Sequence, residues 1–156
     1  MRLSKESGIK ILLDLPINHT SDQHSWFKSS VQSESNYSDY YIWTSNLPTE
    51  YGLPWNESSP PESVWHTRKG RKGYFYGLFG YANPDLNFHN ENVVNEIKYV
   101  LAHWLNKGVD GFRLDAARYF VEEGPKRQAD TKSNLEFINE IVSYAKDIAP
   151  NTYFIG

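Results

Sequence analysis

The sequence predicts an α/β fold: part of a parallel (β/α) barrel, interrupted by a small loop-rich subdomain. Three observations predict it. Short apolar runs at 9–15, 109–114 and 153–155 alternate with two long amphipathic stripes, and strands alternating with helices imply parallel β/α units. Polar residues gather just past the first two runs, where a (β/α) barrel carries its active face. Residues 20–82 show no sustained periodicity and are rich in Ser, Asn, Pro, Gly and aromatics. A structureless stretch that long is suspect inside a compact domain, so it reads as an insertion. The expected division is therefore 1–19 and 83–156 as barrel, with 20–82 inserted.

The elements run in chain order. Residues 2–8 read as the tail of a helix closed by Gly8. Ile9 to Leu13 is rich in branched apolar residues and does not alternate, the pattern of a buried strand. It runs into Asp14, Pro16, Asn18 and His19. Taken alone, Asn18 is a turn residue, and His19 is as readily a loop histidine as a sugar-binding one. Inside the insertion, Ser25–Val31 suits a short helix, with small strands near 41–43 and 73–78. Asn83-Pro84-Asp85-Leu86-Asn87 reads as a turn, Pro84 fixing φ and Asp85 or Asn87 capping the next element.

Asn90 then caps a helix running to about Lys107. Val93, Val94, Ile97, Val100, Leu101, Trp104 and Leu105 form its apolar stripe. Gly108 ends it, and the strand 109–114 leads into Asp115. Alternation puts Arg113 and Asp115 on one face. A buried carboxylate beside a guanidinium stays ionised, which is what a carboxylate nucleophile needs. A structural ion pair at a strand end gives the same pattern. Residues 120–133 are a polar loop. A second helix spans about 133–149, Pro150 stops it, and Tyr153-Phe154-Ile155 begins another strand.

Composition narrows the function. Net charge is -3, from 16 basic and 19 acidic residues, which argues against a nucleic-acid partner. No run approaches a membrane span, and mean hydropathy is -0.64. With no cysteine, disulfides and thiolate metal sites are excluded. The first six residues lack the apolar core of a secretory signal, and the compartment stays open. Aromatics make up 15% of the chain and concentrate in 26–81. Such rings suit sugar faces; they equally suit the core of a loop-rich subdomain. Arg68-Lys69-Gly70-Arg71-Lys72 reads as an exposed turn ahead of a basic recognition patch.

Three pieces in order, DLPINH (14–19), NPDLN (83–87) and GFRLDAARY (111–119), resemble the α-amylase family of glycoside hydrolases. They look like its first conserved region, the short region near the end of its inserted domain, and the region that carries its nucleophile. The resemblance covers essentially the whole chain. It implies about the third to fifth strands of a (β/α)₈ barrel, which in full needs about 250 residues. It also implies Asp115 as the nucleophile of a retaining glycosidase, with Arg113 aiming it. His19 would bind a hydroxyl of the sugar at the cleavage point, Asp14 would be a supporting carboxylate of the substrate site, paired with Arg113 or holding the loop in shape, and Tyr119 would line the aglycone side. Asp85 would join the inserted domain to the barrel. Asn18 would brace the strand-three loop and, in calcium-bearing relatives, ligate the metal; calcium is the one cofactor candidate. The general acid is expected as a glutamate just past Gly156, so the isolated chain is expected to show no turnover.

Departures narrow the substrate. Arg118 and Tyr119 stand where calcium-dependent α-amylases carry Lys and His, which weakens the calcium and starch-amylase readings. Asn83 matches neither common variant of its region. NHTSDQHSWF (18–27) and Asn87 look like the oligosaccharide-acting type, and Ala116 like α-1,4-acting members. The expected substrates are α-1,4-linked glucans, either maltooligosaccharides or starch. An α-glucanotransferase shares every residue named. A non-catalytic amylase-like partner domain would typically have lost Asp115.

Overall fold

The computed structural model describes residues 2–56 and 58–156; Met1 and Glu57 lie outside them. A short helix α1 (Arg2–Glu6) precedes strand β1 (Leu12–Leu15) and helix α2 (Ser25–Ser30). Strands β2 (Trp43–Thr44), β3 (Trp65–Arg68) and β4 (Arg71–Tyr76) come next, then helix α3 (Glu91–Asn106), strand β5 (Gly111–Leu114), helix α4 (Lys132–Ile148) and strand β6 (Tyr153–Ile155). β1, β5 and β6 form a parallel sheet in the order β1-β5-β6, and β2-β4-β3 form a separate antiparallel sheet.

α3 and α4 form where their stripes predict. The Asn90 side chain accepts from Asn92 N–H at the start of α3, and Gly108 past its end holds φ 89°, a left-handed value glycine adopts without strain. Thr131 caps α4: its Oγ1 accepts from Asn134 N–H (3.1 Å) and donates to the Val121 carbonyl (2.6 Å). Pro150 bars the helix from continuing. Asn87 proves no helix cap; its Oδ1 accepts from His89 N–H in a local turn.

β1 begins three residues later than the apolar run suggests. Residues 10 and 11 are held by Asp110, which accepts from Lys10 Nζ and Ile11 N–H (2.9 Å each). Ladder pairing starts only where β5 arrives, at Leu12 opposite Gly111. Gly111 is required there, because a Cβ would sit 2.2 Å from the Tyr153 carbonyl oxygen. β3 has no counterpart among the expected strands, since its Arg68 belongs to the basic cluster that signals a turn.

The parallel sheet has two unlike faces. Leu15, Phe112 and Leu114 pack against Val93, Ile97 and Leu101 of α3 and Phe137, Ile141 and Ala145 of α4. The same core takes in Phe27, Tyr40, Tyr41 and Phe75 of the 20–82 segment, while Val64, Trp65, Tyr76 and Leu78 form a second, smaller cluster. On the other face, Leu12, Tyr153 and Ile155 are 44%, 62% and 52% exposed. The continuous burial expected of these strands is therefore half right. The helix side is apolar and covered; the other side sets Leu12, Tyr153 and Ile155 beside Asp14 and Arg113 and is left open among the described residues.

Candidate active site

The register places Asp14 of β1 directly opposite Arg113 of β5. Arg113 Nη1 donates to Asp14 Oδ1 at 2.6 Å, and its Nη2 lies 2.7 Å from Asp115 Oδ1. One guanidinium thus bridges two carboxylates from adjacent strand ends, and its bonds to Asp14 and then Asp115 raise its already high pKa. The expected burial is corrected here: the side chains of Arg113, Asp14 and Asp115 are 54%, 57% and 40% exposed. They stand on the uncovered face of the sheet. Ion pairs this open add little stability, typically about 0.2–1 kcal/mol each. Their main effect is to hold Asp115 in one place.

Immediately after Asp115 the backbone turns left-handed, with φ 56° at Ala116. For a residue with a Cβ this costs on the order of 1 kcal/mol. The turn closes with Tyr119 N–H donating to the Ala116 carbonyl (2.9 Å), which brings Tyr119 back beside the strand end.

The β1 side is built by pairing at long range. Leu86 N–H donates to the Asn18 carbonyl, Thr20 N–H to that of Pro84, and His19 bridges Asp85. The 83–87 segment is therefore stitched over residues 18–22. It leaves His19 half-buried, with Nδ1 buried and unpartnered among the described residues. Burial lowers the His19 pKa, and the charge of Asp115 opposes that shift. The two side chains therefore sit within reach of each other's field. A neutral imidazole can donate to or accept from a sugar hydroxyl.

Beside His19 lies an aromatic wall, of which the sequence named only Tyr119 individually. Phe79 is 5.6 Å from the His19 ring, Trp55 stacks on Phe79 (6.0 Å, 22°), and Tyr119 meets both edge-on (5.8 and 5.9 Å). Trp55 and Phe79 are 53% and 36% exposed. The aromatic-rich segment divides: Phe27, Tyr41, Trp65, Phe75 and Tyr76 are core, while Trp55 and Phe79 line open surface. An indole in the polar, proline-rich stretch 54–61 was the available signal for Trp55. The two arginines of the basic cluster are consumed internally. Arg68 binds Asp22 and the Tyr81 hydroxyl, and Arg71 donates to the Ser30 and Ser38 carbonyls over the Trp43 ring. A depression lined by Lys10, Asp110, Asn151 and Tyr153 opens at the opposite strand ends and shares no residue with the Asp115 cluster.

Asn18 and Asp85 form a buried pair beneath His19. Asn18 Nδ2 donates to Asp85 Oδ2 (2.9 Å) and Leu78 N–H to Asp85 Oδ1 (3.0 Å), so Asp85 does join the inserted segment to the strand end. Asn18 Oδ1 has no hydrogen-bond partner among the described residues. Calcium takes about six to eight oxygens; here the described residues contain no group of three or more acidic or His side chains able to hold a metal. Among the described residues Asn18 is held by its bond to Asp85.

Burial pushes Asp85 up to about 8. The folded state therefore keeps a proton that an unfolded chain, titrating near about 4, releases. The stability that Asp85 contributes is fully present below about pH 4 and is lost as pH rises through about 8. In Asp85→Asn that decline should vanish, because an amide does not titrate; Asn18 can turn its amide over and present Oδ1 to the new NH₂, which keeps the pair bonded. Thermal midpoints of both proteins across this range check it; parallel curves would show that Asp85 is not the group responsible.

The model for the alpha amylase catalytic domain matches residues 1–156. The chain belongs to the α-amylase family. "Alpha-amylase 3" of Dictyoglomus thermophilum is 41% identical over 157 residues, which is 100% of this chain and 28% of that protein. "4-alpha-glucanotransferase" of Thermotoga maritima is 44% identical over 115 residues, 73% of this chain and 25% of that protein. Among solved structures, the trehalose-6-phosphate hydrolase of Bacillus licheniformis superposes with a TM-score of 0.84 at 28% identity, covering 98% of this chain and 30% of that one. The chain thus spans under a third of the length of these α-amylase-family proteins. Its three parallel strands and two long helices are part of the family's (β/α)₈ barrel.

Proposed function

We propose that this chain carries the nucleophile side of a retaining α-glucoside hydrolase acting on α-1,4-linked glucans or maltooligosaccharides. The observation that carries the reading is the Arg113 bridge between Asp14 and Asp115, with Asp115 in the field of His19. Asp115 Oδ attacks the anomeric carbon and forms the glycosyl-enzyme as the bond to the leaving oxygen breaks. A general acid protonates that oxygen. Water, deprotonated by the same group, then opens the ester and returns Asp115 as a carboxylate. His19 binds a hydroxyl of the reacting sugar, and Tyr119 lines the aglycone side.

Retention needs a second carboxyl about 5–5.5 Å from the first. Glu136 and Glu140 do not supply it; on α4 they pair with Lys132 of the same helix and with Lys98 of α3. Asp14 is engaged by Arg113. The family resemblance assigns the role to a glutamate directly after the strand that corresponds to β6.

The test is covalent. A slowly deglycosylated fluorinated α-glucosyl fluoride, incubated with the full-length protein, should leave its sugar on the peptide containing Asp115. A label on another residue, or products of inverted configuration, would remove Asp115 from this role. A glucanotransferase is the second reading, favoured by the identity with the Thermotoga maritima protein. It differs only in the acceptor, and product analysis with added glucose separates the two.

A further inference from the structure

The loop from Asp115 to the Thr131 cap of α4 is tied to the 51–59 loop at two points. Gln128 is 4% exposed, and both hydrogens of its amide are used. Nε2 donates to the Gly52 carbonyl (2.9 Å) and to the Tyr76 hydroxyl (2.8 Å). Six residues earlier, Glu122 Oε2 accepts from the Tyr51 hydroxyl (2.7 Å) and from Gly124 N–H (2.8 Å). The Tyr51 ring packs edge-on against Trp65 and Tyr76, so the tie ends in the smaller core cluster.

Beyond Gly52 the chain closes on itself. Leu53 N–H donates to Ser59 Oγ (2.5 Å), Ser59 Oγ donates to the Asn56 carbonyl (2.7 Å), and Asn56 N–H donates to the Leu53 carbonyl (2.9 Å). Trp55 stands on that closed turn. Its ring meets Tyr119, which belongs to the loop that Gln128 and Glu122 anchor. The result is a ring of contacts: Asp115 to Tyr119 along the chain, Tyr119 to Trp55 through their rings, and 51–52 back to Glu122 and Gln128 through hydrogen bonds. An apolar side chain could fill the space of Gln128. Only a polar one fixes where Gly52 sits relative to Tyr76, since an unpaired buried amide is costly.

We propose that Gln128 is a positioning residue: with the Tyr51–Glu122 bond it sets Trp55 against Tyr119, and so sets how strongly the site prefers long leaving groups. The proposal rests on the glycosidase reading above and adds a determinant of substrate length to it. A substrate that reaches past the cleavage point would use the Trp55–Tyr119 wall. One with a single-atom leaving group would not.

The experiment compares kcat/KM of the full-length protein on maltotetraose and on α-glucosyl fluoride. In Gln128→Leu the ratio of the two should fall about tenfold, mostly through KM for maltotetraose, with the fluoride rate within about twofold. Tyr51→Phe, which removes one hydroxyl and is mild for folding, should lower the ratio about threefold. The double variant should fall short of the product of the two, because both bonds hold one loop. An unchanged ratio, or equal losses on both substrates accompanying a lower thermal midpoint, would overturn the proposal and leave Gln128 as ordinary packing. Turnover surviving in Asp115→Asn would instead strike the glycosidase reading, so the two failures are distinguishable.

Discussion

Asp115→Asn should lower kcat on maltooligosaccharides by at least about a thousandfold while leaving the fold in place. The amide has the volume of the carboxylate, and its Oδ1 can still accept from Arg113 Nη2, which lies 2.7 Å from the carboxylate oxygen. What it lacks is the negative charge and lone-pair basicity needed to bond to an anomeric carbon. The side chain is 40% exposed, so little packing depends on it; the thermal midpoint should move by less than about 3 °C. The checks are steady-state kinetics and a thermal melt on the full-length protein. A variant retaining a tenth of the parent's rate would exclude Asp115 as nucleophile.

The second large effect is expected at Arg113. Lysine keeps the charge but presents one ammonium in place of a planar fork, and it cannot occupy both the Nη1 bond to Asp14 and the Nη2 bond to Asp115. Asp115 would then sample several rotamers, and positioning errors of this kind cost about a hundredfold. Arg113→Lys should therefore lose about a hundredfold in kcat/KM, and Arg113→Leu more, since two carboxylates would face each other without a cation between them. Stability should change by less than about 1 kcal/mol, because all three side chains are open to solvent. A kinetic loss matched by a comparable loss in thermal midpoint would mean that Arg113 holds up the barrel end rather than aiming the nucleophile.

What the chain alone reveals tracks the range of the physics. α3 and α4 rest on stripes and caps within one stretch of chain, so Val93, Ile97 and Leu101 announce the buried face and Asn90 the start. Period-two alternation likewise puts Arg113 and Asp115 on one side of β5, as found. Exposure is another matter, because apolar runs such as Ile9 to Leu13 report that a strand is fit for burial on both faces, not which face is covered. The seam between 18–22 and 82–86 joins residues more than about 60 apart, and no local pattern encodes it. The Trp55–Phe79–Tyr119 wall and the Gln128 tie are hidden for the same reason: each brings together segments from opposite ends of irregular loops. The motif resemblance supplies chemistry that spacing alone leaves open, as with His19 and Asn18.

The side of the parallel sheet bearing Leu12, Tyr153 and Ile155 has a bearing on biosynthesis. A ribosome that has delivered β1, β5 and β6 has released an open apolar patch formed by Leu12, Tyr153 and Ile155. While that patch is open the nascent protein is at its most adhesive. Depletion of holdase chaperones should then raise the insoluble fraction more than destabilising changes in α3 or α4 do.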